Sequence, residues 1–591
     1  MANSPIEGLL DEAERRMNVR DDAGAGLLVK QALGMDPKNA RGLAFGAVLS
    51  ARYGQKDQAL NLAEMALKLG PASPVVLHNT AGIFFHYGQS HRARELWERL
   101  IELTPRSAET FNNLGTYHLS QNDTSAAEMY YRKAMDLDPN VRGVHLNLGN
   151  LAKNSGRIEE AIVLYREHER RFPQELWQSS NYLYSLQFDP SYGPAQIHEE
   201  HAAWGWALES TVAGQTSHPN DCSPGRRLRV GYVAPYFRNH VAGILLLPLL
   251  SKHDHSQFEI HCYSDVRQPD EMTARLRRHA DVWHDTIGVA NADLAGLVSR
   301  DQIDVLVDLV MHMDGGRLGM FARKPAPLQV TWMAYPGTTG LTRMDYRFTD
   351  AVLDPPGETD RFYTEQSIRL ESFWCYDSPA DGPAVGPLPA EKNGYFTFGC
   401  LNNFSKVNGA VLELWREILA AVPNSRLILM PPTGKTKDWA LEKLQVTPDR
   451  LICLPKVSRI QYLDYYNRID LALDPFPYTG HTTTLEGLWM GVPLISLAGS
   501  TIASRGSLSI LSNLGLADLA VKSKVDYVTL AGAFSKDLAR LRELRAGLRE
   551  RLERSVLMDA DRFARRVESA YHDIWRKWCG NDPGRKGRNE S

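Results

Sequence analysis

Five prolines, Pro37, Pro71, Pro105, Pro139 and Pro173, recur every 34 residues, and few folds are open to a chain built on that interval. The same interval carries a small residue at Ala47, Ala81, Gly115 and Gly149, and a turn residue at Gly54, Gly88, Asn122 and Gly156. It also carries an alanine at Ala25, Ala59, Ala93, Ala127 and Ala161. Small residues at two facing positions let paired helices approach closely. Gly or Asn accepts the left-handed backbone that ends the first helix. Proline, with no N–H to donate, cannot continue the second. Helix, turn, helix, stop on this period is the tetratricopeptide pattern, and stacked units form a solenoid that binds peptides or proteins. Residues 1–36 read as a partial repeat capping the array, with full repeats at about 40–73, 74–107, 108–141 and 142–175. The solenoid is therefore expected over residues 1–175.

Beyond that point the period changes. Residues 176–224 read as a helical linker, with HEEHAAWGWALES followed by the polar turn-rich HPNDCSPGR. The apolar runs LRVGYVAP (228–235), FEIHCYSD (258–265) and IDVLVDLV (303–310) then alternate with helical segments. A second series has FTFGCLN (396–402), SRLILMPP (425–432), DRLICLPK (449–456), IDLALDPFP (469–477) and VPLISLAG (492–499). Continuous short apolar runs of this kind are parallel strands buried on both faces. The pattern predicts two Rossmann-like α/β domains, at 225–385 and 386–580, the second ending in long charged helices. A polar tail, 581–591, is expected to be disordered. Two such domains with a cleft between them fit a GT-B glycosyltransferase, though other two-domain α/β enzymes share the pattern.

Composition narrows the function classes. A chain of 591 residues is too long for one core. A net charge of −3 leaves no basic footprint for nucleic acid. The six cysteines lack close pairs, which argues against a zinc site or a disulfide framework and suits a reducing compartment. The first residues lack the apolar stretch of a signal peptide, and no run of eighteen apolar residues occurs. A cytoplasmic protein with no membrane partner is the expectation. Asp136–Asp138 and Asp559–Asp561 have the DxD spacing of a metal-dependent glycosyltransferase class but read as solvated acids, so neither metal nor cofactor is expected. GKTKD (434–438) lacks the upstream glycine of a phosphate-binding loop and reads as a loop after a strand.

The segment PYTGHTTTLEGLWMGVPLIS (477–496) is the best candidate for chemistry. It follows a strand ending near Asp474 and opens a helix near Thr482. The free amides of a helix start, with Thr482, Thr483 and Thr484 hydroxyls beside them, suit a diphosphate. Gly480 lets backbone come close to the phosphate. Glu486, one turn in, is placed for ribose hydroxyls. An ordinary threonine cap is the plainer reading of the same residues.

Together with GYVAPYFRNH (231–240), FARKPAPLQVTWMAYPGTTGLTRMDYRFTD (321–350), FGCLNNFSKV (398–407), LDPFPYTGHTTTLEGLWMGVP (473–493) and SRGSLSIL (504–511), the chain resembles the O-GlcNAc transferase family, SPINDLY-type proteins included. The resemblance implies that Lys406 neutralises the departing diphosphate and that Asn403 lies near the phosphates. It implies that His481, Thr482 and Thr483 form the phosphate-binding helix start and that Glu486 is the ribose acid. His240 falls on the acceptor side, as proton acceptor or positioning group. His312 falls at the sugar pocket or just behind it, and the turn Pro336–Gly340 comes near sugar or acceptor. Val457 lies where backbone meets the base. Arg459 replaces a lysine that reaches the nucleotide, Tyr462 replaces a base-stacking histidine, and Tyr465 stands where animal members have an arginine.

The implied activity is inverting, metal-independent transfer of a sugar from a nucleotide sugar to Ser or Thr of proteins held by the repeats. UDP-N-acetylglucosamine is the first donor candidate. GDP-fucose, UDP-glucose and a non-catalytic repeat scaffold are the alternatives. The repeat surface is compatible with a homodimer. Lys406 and the helix start are expected to meet across the gap between the two α/β domains.

Overall fold

The computed structural model describes residues 4–19, 21–223, 225–379 and 382–581. The chain divides into two compact units, 1–151 with 433–435, and 152–432 with 436–591. Of the tail expected at 581–591, all but Asn581, which ends the last helix, lies outside the described residues.

The first unit is an array of helix pairs. Ala40–Arg52 packs on Lys56–Leu69, Pro74–His86 on Ser90–Leu103, and Ala108–Ser120 on Thr124–Leu137. The turns between partners place Gly54, Gly88 and Asn122 at φ of 73°, 84° and 62°, which explains the Gly/Asn register. Ala47, Ala59, Ala81, Ala93 and Ala127 are fully buried. At Gly115 a Cβ would stand 2.5 Å from the Tyr131 ring, so the small-residue register is steric. Residues 1–36, expected to hold a partial repeat, instead supply a complete pair, Pro5–Asn18 and Asp22–Met35. Asp21 caps the second helix by accepting the Gly24 N–H at 2.9 Å. The interval 142–175 does form two helices, Val144–Asn154 and Ile158–Arg171, but the division between the units falls inside the first. At Gly156 a Cβ would stand 2.3 Å from the Val407 carbonyl oxygen, so this last turn packs with the α/β region.

The second unit contains two parallel sheets. The first comprises β1 (Leu228–Ala234), β2 (Phe258–Ser264), β3 (Val282–Asp285), β4 (Val305–Asp308), β5 (Leu328–Thr331), β6 (Tyr346–Asp350) and β7 (Gln366–Leu370), in the order β3-β2-β1-β4-β5-β6-β7. The second comprises β8 (Phe396–Cys400), β9 (Ser425–Leu429), β10 (Leu451–Cys453), β11 (Leu471–Leu473), β12 (Leu494–Leu497) and β13 (Ala520–Val521), in the order β10-β9-β8-β11-β12-β13. In each, strand order reverses beside the first strand, between β1 and β4 and between β8 and β11. Such a reversal leaves a crevice at the C-terminal strand ends where ligands bind in open α/β sheets.

Residues 176–224 are not a spacer. The helix Pro194–Ser210 presses Gly205 so close to Gly340 that a Cβ there would stand 1.9 Å from its carbonyl oxygen, and His201 Nε2 meets the Tyr335 hydroxyl at 2.6 Å. GKTKD is only partly loop, since the helix Thr436–Leu444 begins within it. At the end of the chain, Leu538–Glu553 stays on the second sheet domain, where Arg545 Nη1 donates to the Ile469 carbonyl at 2.9 Å. Ala560–Asn581 crosses back to the first, setting the Tyr571 hydroxyl 3.1 Å from that of Tyr232. The two sheet domains also meet through Ser509, whose hydroxyl donates to Asp350 at 2.6 Å, and Arg505, which donates to the Val352 carbonyl at 2.7 Å.

Candidate active site

The loops following β8 and β11 stand side by side because those strands are neighbours at the reversal. From the first loop Lys406 extends its ammonium to the Thr479 carbonyl at 2.7 Å, with Nζ 4.0 Å from the centre of the Tyr478 ring. Asn402 Oδ1 accepts the Thr483 hydroxyl at 2.8 Å. The cation and the helix start thus come from two strands of one sheet, not from opposite sides of the interdomain gap as the sequence suggested. Asp474, buried, fixes the turn between them by accepting the Gly480 N–H and the Ser496 hydroxyl, both at 2.6 Å. At Gly480 a Cβ would lie 2.3 Å from Thr484 Oγ1 and 2.9 Å from Thr483 Oγ1, so the turn folds down onto the helix start only with glycine.

The helix itself runs Thr482–Trp489. The His481 ring, at its N-cap, lies between Trp374 (5.0 Å between centres) and Tyr478 (5.1 Å). Two buried polar atoms here, His481 Nε2 and Thr482 Oγ1, have no hydrogen-bond partner. Burial, reinforced by Lys406, holds His481 well below the usual imidazole range, so its ring is neutral. Burial also pulls Lys406 down to about 8 against the attraction of Asp474 and Cys400. A mostly protonated lysine, the unpartnered Thr482 hydroxyl and a helix dipole make a seat for an anion.

Glu486, one turn further, is buried, and its Oε1 lies 3.4 Å from Arg459 Nε. Burial pushes this carboxyl up, and Arg459 opposes the shift. Arg459 opens the helix Arg459–Tyr465, and Val457 lies two residues before it. The Tyr462 hydroxyl is 3.1 Å from that of Tyr466, which in turn donates to the Thr483 carbonyl at 2.9 Å. Tyr465 points elsewhere, to the Pro455 carbonyl at 3.3 Å. Asn403 is exposed and turns its Oδ1 back to the Ser405 N–H at 3.3 Å, and it is the neighbouring Asn402 that contacts the helix start.

On the first sheet, His240 follows β1 and caps the helix Val241–Lys252. Its ring stacks on Tyr236 at 4.0 Å. Burial, helped by Arg238, lowers its pKa to about 4. Nδ1 accepts the Ala242 N–H at 3.2 Å, so the neutral ring carries its proton on Nε2. This arrangement makes His240 a hydrogen-bond donor to its surroundings and disfavours it as proton acceptor. Tyr236 and Arg238 border an open cavity of about 1000 Å³ with Asp265, Asp270, Asp314 and Arg317.

His312 does not face this space. It is 2% exposed, its Nε2 lies 2.9 Å from the Thr339 carbonyl and its Nδ1 3.3 Å from the Ser180 hydroxyl. Trp204 and His201 pack edge-on against it at 4.6 and 4.9 Å. Both nitrogens are engaged, and His312 fastens residues 180–204 to the first sheet. The turn Pro336–Gly340 is likewise internal, with Thr339 N–H and the Thr338 hydroxyl both donating to Glu365 at 2.7 Å.

Four side chains of the site escaped the sequence reading: Asn402, Asp474, Trp374 and Tyr478. A fifth, Lys153, belongs to the last repeat interval and had no distinguishing signal. Its Nζ lies 5.4 Å from the Tyr184 ring, which stands edge-on to Tyr478 at 6.2 Å. Burial lowers its pKa to about 8, opposed by Asp314. Two cations therefore share one aromatic floor.

Tetratricopeptide helices followed by paired Rossmann-type sheets, with an anion seat at the reversal of the second, define a GT-B glycosyltransferase architecture. The chain belongs to glycosyl transferase family 41, whose profile matches residues 172–378 and 388–567, and a tetratricopeptide profile matches 108–141. The probable UDP-N-acetylglucosamine–peptide N-acetylglucosaminyltransferase SPINDLY of Oryza sativa subsp. japonica is 38% identical over 420 residues, 68% of this chain and 45% of that protein. Its counterpart in Arabidopsis thaliana is 38% identical over 402 residues, 65% of this chain and 43% of that protein. The chain thus spans less than half the length of these curated relatives. A solved lysine-to-methionine mutant of the Thermobaculum terrenum O-GlcNAc transferase matches with a TM-score of 0.80 at 35% identity, covering 86% of this chain and 98% of that one. Among the described residues no helix is long and apolar enough to cross a membrane.

Proposed function

We propose that the protein transfers N-acetylglucosamine from UDP-N-acetylglucosamine to Ser or Thr hydroxyls of protein acceptors, with inversion at the anomeric carbon. The observation that carries this reading is the convergence of the Lys406 ammonium, the Gly480 turn and the unpartnered Thr482 hydroxyl at one helix start. The acceptor oxygen bonds to the anomeric carbon as the bond from that carbon to the β-phosphate oxygen breaks. The electron pair passes to the diphosphate, where Lys406 and the helix amides stabilise it. That charge supply assigns no step to a metal ion. The hydroxyl proton passes to a donor phosphate oxygen, since His240 Nδ1 is committed to Ala242. His240 Nε2–H positions the acceptor side. Glu486 and Arg459 hold the ribose, Tyr462 and the Val457 backbone hold the base, and the tetratricopeptide array holds the acceptor protein.

The test is a thermal-shift screen of the full chain against UDP, GDP, UDP-N-acetylglucosamine, UDP-glucose and GDP-fucose, followed by transfer of labelled sugar to protein. Selective stabilisation by UDP and its N-acetylglucosamine conjugate is expected. Stabilisation by GDP and GDP-fucose instead would reassign the donor. Absence of any nucleotide effect would leave a binding scaffold.

A further inference from the structure

A separate cluster of side chains lies at the outer edge of the first sheet. Glu259, His261 and Tyr263 alternate onto one face of β2. Strand pairing sets Tyr263 opposite His284 of β3, so His284 shares that face. Asp301, which ends the helix Asn291–Arg300, comes up against them. One potential ligand atom from each of His261, His284 and Asp301 falls within 4.8 Å of the others.

The hydrogen bonding is what sets this group apart. His261 is 5% exposed, and its Nε2 is 2.9 Å from Glu259 Oε1 while its buried Nδ1 has no partner. His284 Nε2 lies 3.0 Å from Asp301 Oδ2, yet its direction makes no hydrogen bond and it too is unpartnered. Asp301 Oδ2 accepts the Tyr263 hydroxyl at 2.7 Å, and the Tyr263 ring lies flat on His284 at 5.0 Å. Arg227 and Arg229 lie 3.8 and 3.7 Å from the other Glu259 oxygen.

We propose that His261, His284 and Asp301 bind one divalent transition-metal ion of the zinc type. Two imidazole nitrogens with a carboxylate, completed by water, form a tetrahedral donor set suited to Zn²⁺, whereas Mg²⁺ and Ca²⁺ require oxygen ligands. Glu259 supplies the outer carboxylate that commonly orients a ligating histidine through its second nitrogen. Bonds of about 2 Å require the three atoms to draw somewhat closer, which the part-exposed His284 permits. The ion ties the edge strand β3 to β2 and to the end of the following helix. It stands on the first sheet, while Lys406 and His481 belong to the second, so it braces the fold and takes no part in sugar transfer.

The test uses the full chain, stripped with EDTA, incubated with Zn²⁺, gel-filtered and assayed for bound metal, with Co²⁺ substitution read by its visible ligand-field bands. One equivalent retained by the parent protein, and lost in both His284→Gln and Asp301→Asn, is the expected result. Glu259→Gln should weaken binding by about 10–100-fold. Zn²⁺ should raise the melting temperature of the parent protein but not of His284→Gln, with the UDP-induced shift equal in both. The chain has 18 histidines, so the difference between parent and variants is the decisive quantity. Negligible metal in the parent protein, or as much metal in both variants as in the parent, would overturn the proposal.

Discussion

Replacing Lys406 by methionine separates the cost of a buried cation from its use. In the ligand-free protein its partners are the Thr479 carbonyl at 2.7 Å and the Tyr478 ring at 4.0 Å, and its pKa falls from 10.5 to about 8. The difference, 10.5 minus 8, corresponds to ~3 kcal/mol by which the folded chain disfavours the protonated amine. Between those two pH values the folded state binds fewer protons than the unfolded one, so stability rises with pH across the window, and the full penalty applies below about 8. Methionine removes the charge at similar length and forfeits the bond to Thr479, a loss of about 1–3 kcal/mol. The two effects largely offset at pH 7. The ligand-free variant should therefore melt at or a few degrees above the parent temperature, and the parent should gain on it between pH 7 and 9.5. The UDP-induced shift should vanish and transfer should fall by about 10²–10³ in kcat. Scanning fluorimetry at both pH values, with and without UDP, and a transfer assay read these outcomes. A variant that melts well below the parent while keeping its UDP shift would make Lys406 a tie to Thr479 and refute the anion seat.

Three further perturbations probe the rest of the site. His240→Ala should raise acceptor KM more than it lowers kcat, and kcat/KM of the parent should stay flat from pH 5 to 7, because the His240 pKa lies near 4; an acid limb at about 6.5 that disappears in the variant would restore a proton-acceptor role. Arg459→Ala leaves Glu486 buried without its cation, so stability should drop by up to about 3–5 kcal/mol, with the deficit growing as pH rises and the carboxyl ionises. Adding Glu486→Gln should recover the melting temperature but not donor binding. Gly506→Ala would put a Cβ 2.2 Å from His481 Cδ2, so the displaced ring should cost about 10²-fold in transfer while the far-ultraviolet spectrum stays unchanged.

The registers of the repeats were legible because each reports a local demand: a left-handed turn at Gly54, a steric limit at Gly115. The strands β1, β2, β4 and β8–β12 were legible as apolar runs because parallel strands are buried on both faces. β5 and β6 were not, since polar residues sit buried within them, satisfied by loops outside the strand. Gln329 donates to the Phe321 and Arg343 carbonyls at 3.0 and 2.8 Å, and Arg347 to Asp354 at 2.8 Å. The same distinction governs the site. The helix start at Thr482 is local and could be read. Whether Asn402 or Asn403 faces Thr483 depends on how a short 3₁₀ turn is wound, and the state of His312 depends on Ser180 and Thr339, far off in sequence. His261, His284 and Asp301 come from two strands and a helix end, so no ligand spacing announced them.

The two sheets share one strand order over six strands but differ in what charge their crevices present. At the reversal of the second sheet, Lys406 and the amides of Thr482–Trp489 face a turn whose one carboxylate, Asp474, is buried and occupied by Gly480 and Ser496. The ammonium and the helix start suit a diphosphate. At the reversal of the first sheet, Asp265, Asp270 and Asp314 border the cavity with Arg238, Arg267 and Arg317, and the Asp265–Arg317 pair is bidentate at 2.6 Å through both oxygens. A crevice of mixed sign, with Arg317 already paired to Asp265, offers a diphosphate little. It offers hydrogen-bond donors and acceptors to a neutral hydroxylic or peptide group instead. On the proposed function, this asymmetry suits the second sheet to the donor nucleotide and the first to the acceptor.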